Sequence, residues 1–202
     1  MPSIITHAAV PLALWCAADR GRIPAWLLAA GVVAAMLPDA DVLAFVLHIP
    51  YADAFGHRGA SHSLLFAGVL AVLAAVWAFF GSGRPWSAVS CQPRLAPTTA
   101  RPTLVSTVQA MAFVFVCAAS HPLLDAMTSG GLGVALAWPW SEHRFFAPWR
   151  PIRVSPFAPQ FFSARGIATL LSELRWVWLP LAGAVVAWKL IQPAPAAPRD
   201  PS

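Results

Sequence analysis

The chain has 202 residues and a mass of 21.5 kDa, room for one domain or two small ones. Hydrophobic residues make up 58% of it and charged residues 10%, where ordinary soluble domains carry about 45–50% and roughly 25%. At a mean hydropathy of +0.66 a soluble globule could not cover its apolar surface, and disorder, coiled coil and disulfide scaffold are excluded too.

The first apolar segment, residues 8–18, is too short to span a bilayer. The stretch before it has no basic n-region and no small-residue cleavage site, so no cleaved signal peptide is expected. Residues 19–22 turn the chain into a second segment, 23–37, closed by Pro38. These two are expected to form a short N-terminal helical hairpin. Residues 64–83 are 20 residues without a charge, the clearest span. Residues 81–103, rich in Pro, Ser and Thr, are expected to be a flexible connector. The fourth segment, 104–120, runs on into His121-Pro122-Leu123-Leu124, and the fifth is 176–191, interrupted by Lys189. Between them, 130–172 is rich in aromatics and Pro and is expected at the headgroup level. The tail, 193–202, is expected to be disordered. The expected fold class is an all-α integral membrane protein: about five hydrophobic helices, three of them spans, in a single membrane-embedded domain over 1–192.

The net charge of +5 comes from scattered residues with no Lys/Arg run, which predicts contact with membrane lipids and no nucleic-acid partner. Alternating spans place seven basic residues on one face (20, 22, 84, 94, 101, 189, 199) and six on the other (58, 144, 150, 153, 165, 175), so charge counting does not orient the chain. Cys16, Cys91 and Cys117 lie far apart and form no CxxC.

The ionisable residues at segment ends carry the chemistry. His7 opens the first segment; Asp39 and Asp41 follow the second; His57, Arg58 and His62 precede the third; His121 and Asp125 end the fourth. With alternating spans all of them reach one membrane face. His121 and Asp125 are four apart, neighbours on one side of a helix. Asp39 and Asp41 repel unless a cation or Arg lies between them, and in a loop both can point at one centre. Gly59 predicts a bend at His57-Arg58, after which Ser61 can cap a helix that starts near His62, letting both imidazoles converge. Each patch taken alone can also be a helix cap or an acidic turn. Together they match a site for Zn²⁺, Mn²⁺ or Fe²⁺, and seven ligands leave room for one ion or two. His48 and His143 have no charged companions at metal spacing and are set aside.

These residues carry a resemblance. Thr6-His7, Leu37-Pro38-Asp39-Ala40-Asp41, His57-Arg58-Gly59-Ala60-Ser61-His62-Ser63 and His121-Pro122-Leu123-Leu124-Asp125, with Thr128, Gly131 and the 138–145 stretch, resemble the YdjM-like membrane-bound metal-dependent hydrolases, also described as LexA-binding. The resemblance covers about residues 3–160 and implies a bacterial inner-membrane, multi-pass, phospholipase-like hydrolase. The LexA link would concern control of expression.

The expected function is hydrolysis of a phosphoester or acyl ester of a lipid by metal-activated water. His7, Asp39, Asp41, His57, His62, His121 and Asp125 are the expected ligands, with zinc first among the metals. Asp41 can serve instead as a general base, and Arg58 and Arg144 would hold the phosphate or stabilise negative charge. The alternatives are a metal-binding transporter or sensor, and a structural protein whose polar ends only snorkel. The sequence leaves the oligomeric state open.

Overall fold

The computed structural model describes residues 1–18, 22–82, 106–156 and 160–192. The expected first turn (but for Arg22), the connector from residue 83 onward and the tail lie outside the described residues.

The described chain is helical, with no strand among the described residues and only two isolated bridges, Thr128 to Ile152 and Val134 to Phe145. A 3-10 turn, Ile4–Ala8, leads into α1 (Ala9–Ala17). α2 (Ala25–Met36) follows Pro24 and passes into a 3-10 turn, Leu37–Val42, then α3 (Leu43–Val46). The tightening has a local cause: Pro38 has no N–H to donate to the carbonyl four residues back. The second segment is therefore longer than expected: Ala25–Val46 is one apolar element of 22 residues, long enough to cross a bilayer.

A second 3-10 turn, Ala60–His62, precedes α4 (Leu64–Ser82). The cap there is Ser63, whose Oγ accepts from Phe66 N at 3.1 Å, and Ser61 is used elsewhere. α5 (Thr107–Ala126) starts at Ser106, whose Oγ accepts from Gln109 N at 3.0 Å, and it carries Pro122 inside. α6 (Ala164–Glu173), a π-turn at Leu174–Trp178 and α7 (Leu179–Ile191) form one element of 28 residues. The expected interfacial segment thus ends near residue 163, and the last span begins earlier than residue 176. Glu173 and Arg175 break the apolar run in sequence, but Glu173 faces protein and is buried. Ala25–Val46, Thr107–Ala126 and Ala164–Ile191 are the three elements long and apolar enough to span, and Ile4–Ala17 and Leu64–Phe80 are shorter apolar helices.

α5 is central, packed between α2 and α4, while α1 lies on α7. The contact surfaces are built of small residues, Ala34, Ala35, Ala67, Ala110 and Ala118, which let backbones approach closely. Gly31 sets the α2–α5 approach, since a Cβ there would lie 2.5 Å from Phe113 Cε1. Large apolar side chains such as Trp77, Phe79, Phe80 and Leu190 face outward, as lipid contact requires. Trp140, Trp149 and Phe162 are exposed on the aromatic segment, in keeping with a headgroup position.

Candidate metal centre

Four chain-distant pieces meet at one end of this bundle. They are the Ile4–Ala8 turn, the Leu37–Val42 turn, the loop ending at His62 and the C-terminal end of α5. Helical spacing puts His121 and Asp125 on the same side of α5. The 3-10 turn separates the two aspartates. At 3.0 residues per turn, positions two apart point about 120° away from each other. Asp39 therefore faces α5, and Asp41 faces the 57–62 loop.

Asp39, His62, His121 and Asp125 bring one ligand atom each within 4.8 Å of one another, and all four are buried. His62 Nε2 lies 3.0 Å from His121 Nε2, 3.4 Å from Asp125 Oδ2 and 4.0 Å from Asp39 Oδ1. His121 Nε2 is 3.5 Å from Asp39 Oδ1. The other ring nitrogens are committed. His121 Nδ1 donates to Ala35 O at 2.7 Å, and His62 Nδ1 sits 3.0 Å from Asp41 Oδ2. Such outer partners fix the tautomer and aim Nε2 inward.

His7 adds a fifth donor. Its ring stacks on His121 at 3.7 Å, and its Nε2 lies 3.7 Å from Asp39 Oδ2 and 3.6 Å from Asp125 Oδ1. Both ring nitrogens of His7 and all four carboxylate oxygens of Asp39 and Asp125 are buried without a hydrogen-bond partner. Each such group costs about 1–3 kcal/mol, more when charged, and two close carboxylates repel. A cation among them removes both penalties, so the residues fit a metal ion.

Asp41 and His57 lie one layer out. Asp41 Oδ1 is 2.5 Å from His57 Nδ1, and Asp41 Oδ2 accepts from Arg58 N at 2.9 Å and Ser61 Oγ at 2.7 Å. With both oxygens occupied, Asp41 stands behind His62, outside the four-donor cluster. Burial opposes a charge on His62, and the carboxylates of Asp125 and Asp41 beside its two nitrogens outweigh that, holding its pKa up to about 9.

Arg58 is buried, with Nε 3.0 Å from Asp125 Oδ2, Nη1 donating to Gly130 O at 2.9 Å and Nη2 to Thr128 Oγ1 at 3.1 Å. Burial lowers its pKa, and the Asp125 carboxylate acts the other way. Gly131, at φ +89°, is needed here: a Cβ would lie 2.6 Å from Arg58 Nη1 and 2.9 Å from Tyr51 Oη. Arg144 is spent on the loop. Its guanidinium donates to the carbonyls of His57 (3.0 Å), Tyr51 (3.1 Å) and Asp53 (2.9 Å), which leaves it a clamp on the 51–57 turn and away from the cluster.

Sequence reasoning missed Glu173. Buried in the last span, it accepts from Ser3 N, Ser3 Oγ and Thr6 Oγ1, the last at 2.7 Å, and Thr6 Oγ1 accepts from Trp178 Nε1 at 3.1 Å. It thereby fixes the turn that carries His7. As the one carboxylate of a 28-residue element long and apolar enough to span, it carries the signal that could have found it.

The chain as a whole is similar to known proteins. A family model described as "YdjM inner membrane protein" matches residues 1–196. The chain is 43% identical over 181 residues to "Inner membrane protein YbcI" of Escherichia coli, an alignment covering 89% of this chain and 92% of that protein. No solved structure matches. With nearly its whole length matched by the family model and a relative this similar, the chain belongs to the YdjM family of inner membrane proteins.

Proposed function

We propose that the centre holds one divalent cation, zinc ahead of manganese or iron, and that the protein is a membrane-bound hydrolase of a lipid phosphoester or acyl ester. The observation that carries the reading is the pair of buried carboxylates, Asp39 and Asp125, facing three imidazoles, with Asp39 lacking any hydrogen bond and Asp125 offset only by the Arg58 guanidinium at 3.0 Å. Mixed nitrogen and oxygen donors suit those metals. His57 and Asp41 bond to each other outside the cluster, which favours one ion over two.

A divalent cation held there supplies Lewis acidity and a bound water whose pKa is lowered toward about 7. The chain's residues do the rest. Asp39, His62, His121 and Asp125 hold the cation. His7, with both nitrogens unpartnered, is placed to accept a proton beside it or to join as a fifth ligand. Asp41 orients His62. Arg58 offsets the charge of Asp125 and lines the adjoining cleft, where it can meet negative charge on a substrate.

The test is metal analysis of purified protein beside His62→Ala and Asp125→Ala, followed by assay of phospholipids and a soluble phosphodiester with and without chelator. Stoichiometric metal in wild type, lost in both variants, together with chelator-sensitive turnover, is the expected result. Unchanged metal content in both variants defeats the site. Metal without turnover of any ester turns the reading to a metal-binding transporter or sensor.

A further inference from the structure

Two clefts open beside the centre, and they differ in chemistry. The first, of about 280 Å³, is lined by Tyr51, His57, Arg58, Gly131, Gln160 and Arg165 among others. The second, of about 320 Å³, is apolar, with Ile4, Ile5, Phe161 and Phe162 in its wall. Ser155 and Pro156 belong to both, so the clefts adjoin along a common wall. Among the described residues, neither is lined by an Asp or Glu.

We infer that this paired cleft seats one anionic glycerophospholipid from the surrounding leaflet, its phosphate between Arg58 and Arg165 and one acyl chain along Ile4, Ile5 and Phe162. The inference rests on the hydrolase reading and names the substrate class of that site. Three observations support it.

The first is charge. Arg165 is exposed and makes no ion pair among the described residues, so it supplies the unneutralised positive charge of the polar half, while Arg58, paired with Asp125, adds guanidinium N–H groups to the lining.

The second is shape. Each cleft alone is near the small end of ligand sites, at about 300 Å³, and a ligand using both must carry an anionic and an apolar part on one molecule.

The third is place. Ile4–Ala17 and Ala164–Ile191 are apolar elements that begin at these clefts, and Ile5 and Phe162 are exposed on the same wall. The chain half therefore faces the hydrocarbon edge and the arginine half the headgroup level. A lipid can slide in sideways and bring its phosphate to Arg58, whose Nε is 3.0 Å from Asp125.

The experiment is native mass spectrometry of the full metal-loaded chain in detergent. It is titrated with phosphatidylglycerol, with phosphatidylcholine of the same acyl chains, and with inorganic phosphate as competitor. Both lipids offer the same phosphate, but only phosphatidylcholine brings a cation toward the exposed Arg165, so wild type should bind one phosphatidylglycerol about tenfold more tightly than phosphatidylcholine. Arg165→Gln should remove that preference. Ile5→Ser should weaken both lipids. Arg150→Gln, which deletes an exposed guanidinium outside both clefts, should bind as wild type. Phosphatidylglycerol binding unchanged in Arg165→Gln, or full displacement by inorganic phosphate, overturns the inference. The two readings separate on the same preparations. Chelator-sensitive turnover of a soluble phosphodiester with unselective lipid binding keeps the hydrolase and sinks the lipid seat. Selective, Arg165-dependent lipid binding by a wild-type protein free of metal does the reverse.

Discussion

Asp39 and Asp41 show what one residue's position decides. In sequence the pair reads as two carboxylates aimed at one centre, because spacing alone carries no dihedral angles. Pro38 and the 3-10 turn it favours send them apart, so Asp39 meets His121 while Asp41 backs His62. Substitution by Asn separates these roles. Asp39→Asn removes a ligand charge from the cluster and is expected to strip the metal. Asp41→Asn keeps the shape but weakens the acceptor behind His62 Nδ1. Metal should be retained with affinity lowered about 10–100-fold, the usual cost of an outer-shell change. Competition against a chromophoric chelator measures both. If Asp41→Asn loses metal as completely as Asp39→Asn, Asp41 is itself a ligand.

At the scale of elements, the site depends on a tie between the first turn and the last span. Glu173 takes three hydrogen bonds from Ser3 and Thr6, and Thr6 is followed directly by His7. Hydrogen bonds to a charged group contribute about 1.5–3 kcal/mol each. Glu173→Ala should therefore lower thermal stability by several kcal/mol, speed amide exchange over residues 1–8 and weaken metal binding. Trp178→Phe, which removes one neutral bond to Thr6, should cost about 1 kcal/mol. Exchange in the first turn unchanged by Glu173→Ala would show that packing alone holds His7. This tie was illegible because Ser172, Glu173 and Arg175 look like a solvated helix end. That Glu173 is buried depends on which side of the helix before the π-turn faces the protein, and composition does not record that. The His121–Asp125 pair was legible for the opposite reason: four-residue spacing on a helix fixes a shared face whatever surrounds it.

Across the whole molecule, alternation of apolar segments was enough to bring His7, Asp39, His62, His121 and Asp125 to one end. What it could not give was the layering, in which Asp41 and His57 fall outside and Arg144 is spent on carbonyls. Under the proposed reading, a cation held by that inner layer would fasten the fold. The donors lie on four pieces spread from residue 7 to residue 125. Without a cation the folded state must hold two close buried carboxylates, offset by Arg58 alone, and a buried imidazole without a hydrogen bond, whereas the unfolded chain leaves them in water. A ligand that binds only the folded state stabilises it by about 4 kcal/mol at a thousandfold excess over Kd. For a chain of this length that is a shift on the order of 10 °C in thermal midpoint. Chelator treatment of wild-type protein in detergent should lower the midpoint by that order, and returning zinc or manganese should restore it. His62→Ala should already melt low and respond to neither. A wild-type midpoint unmoved by chelator that has stripped the metal would mean that the cluster is held together by the helices alone.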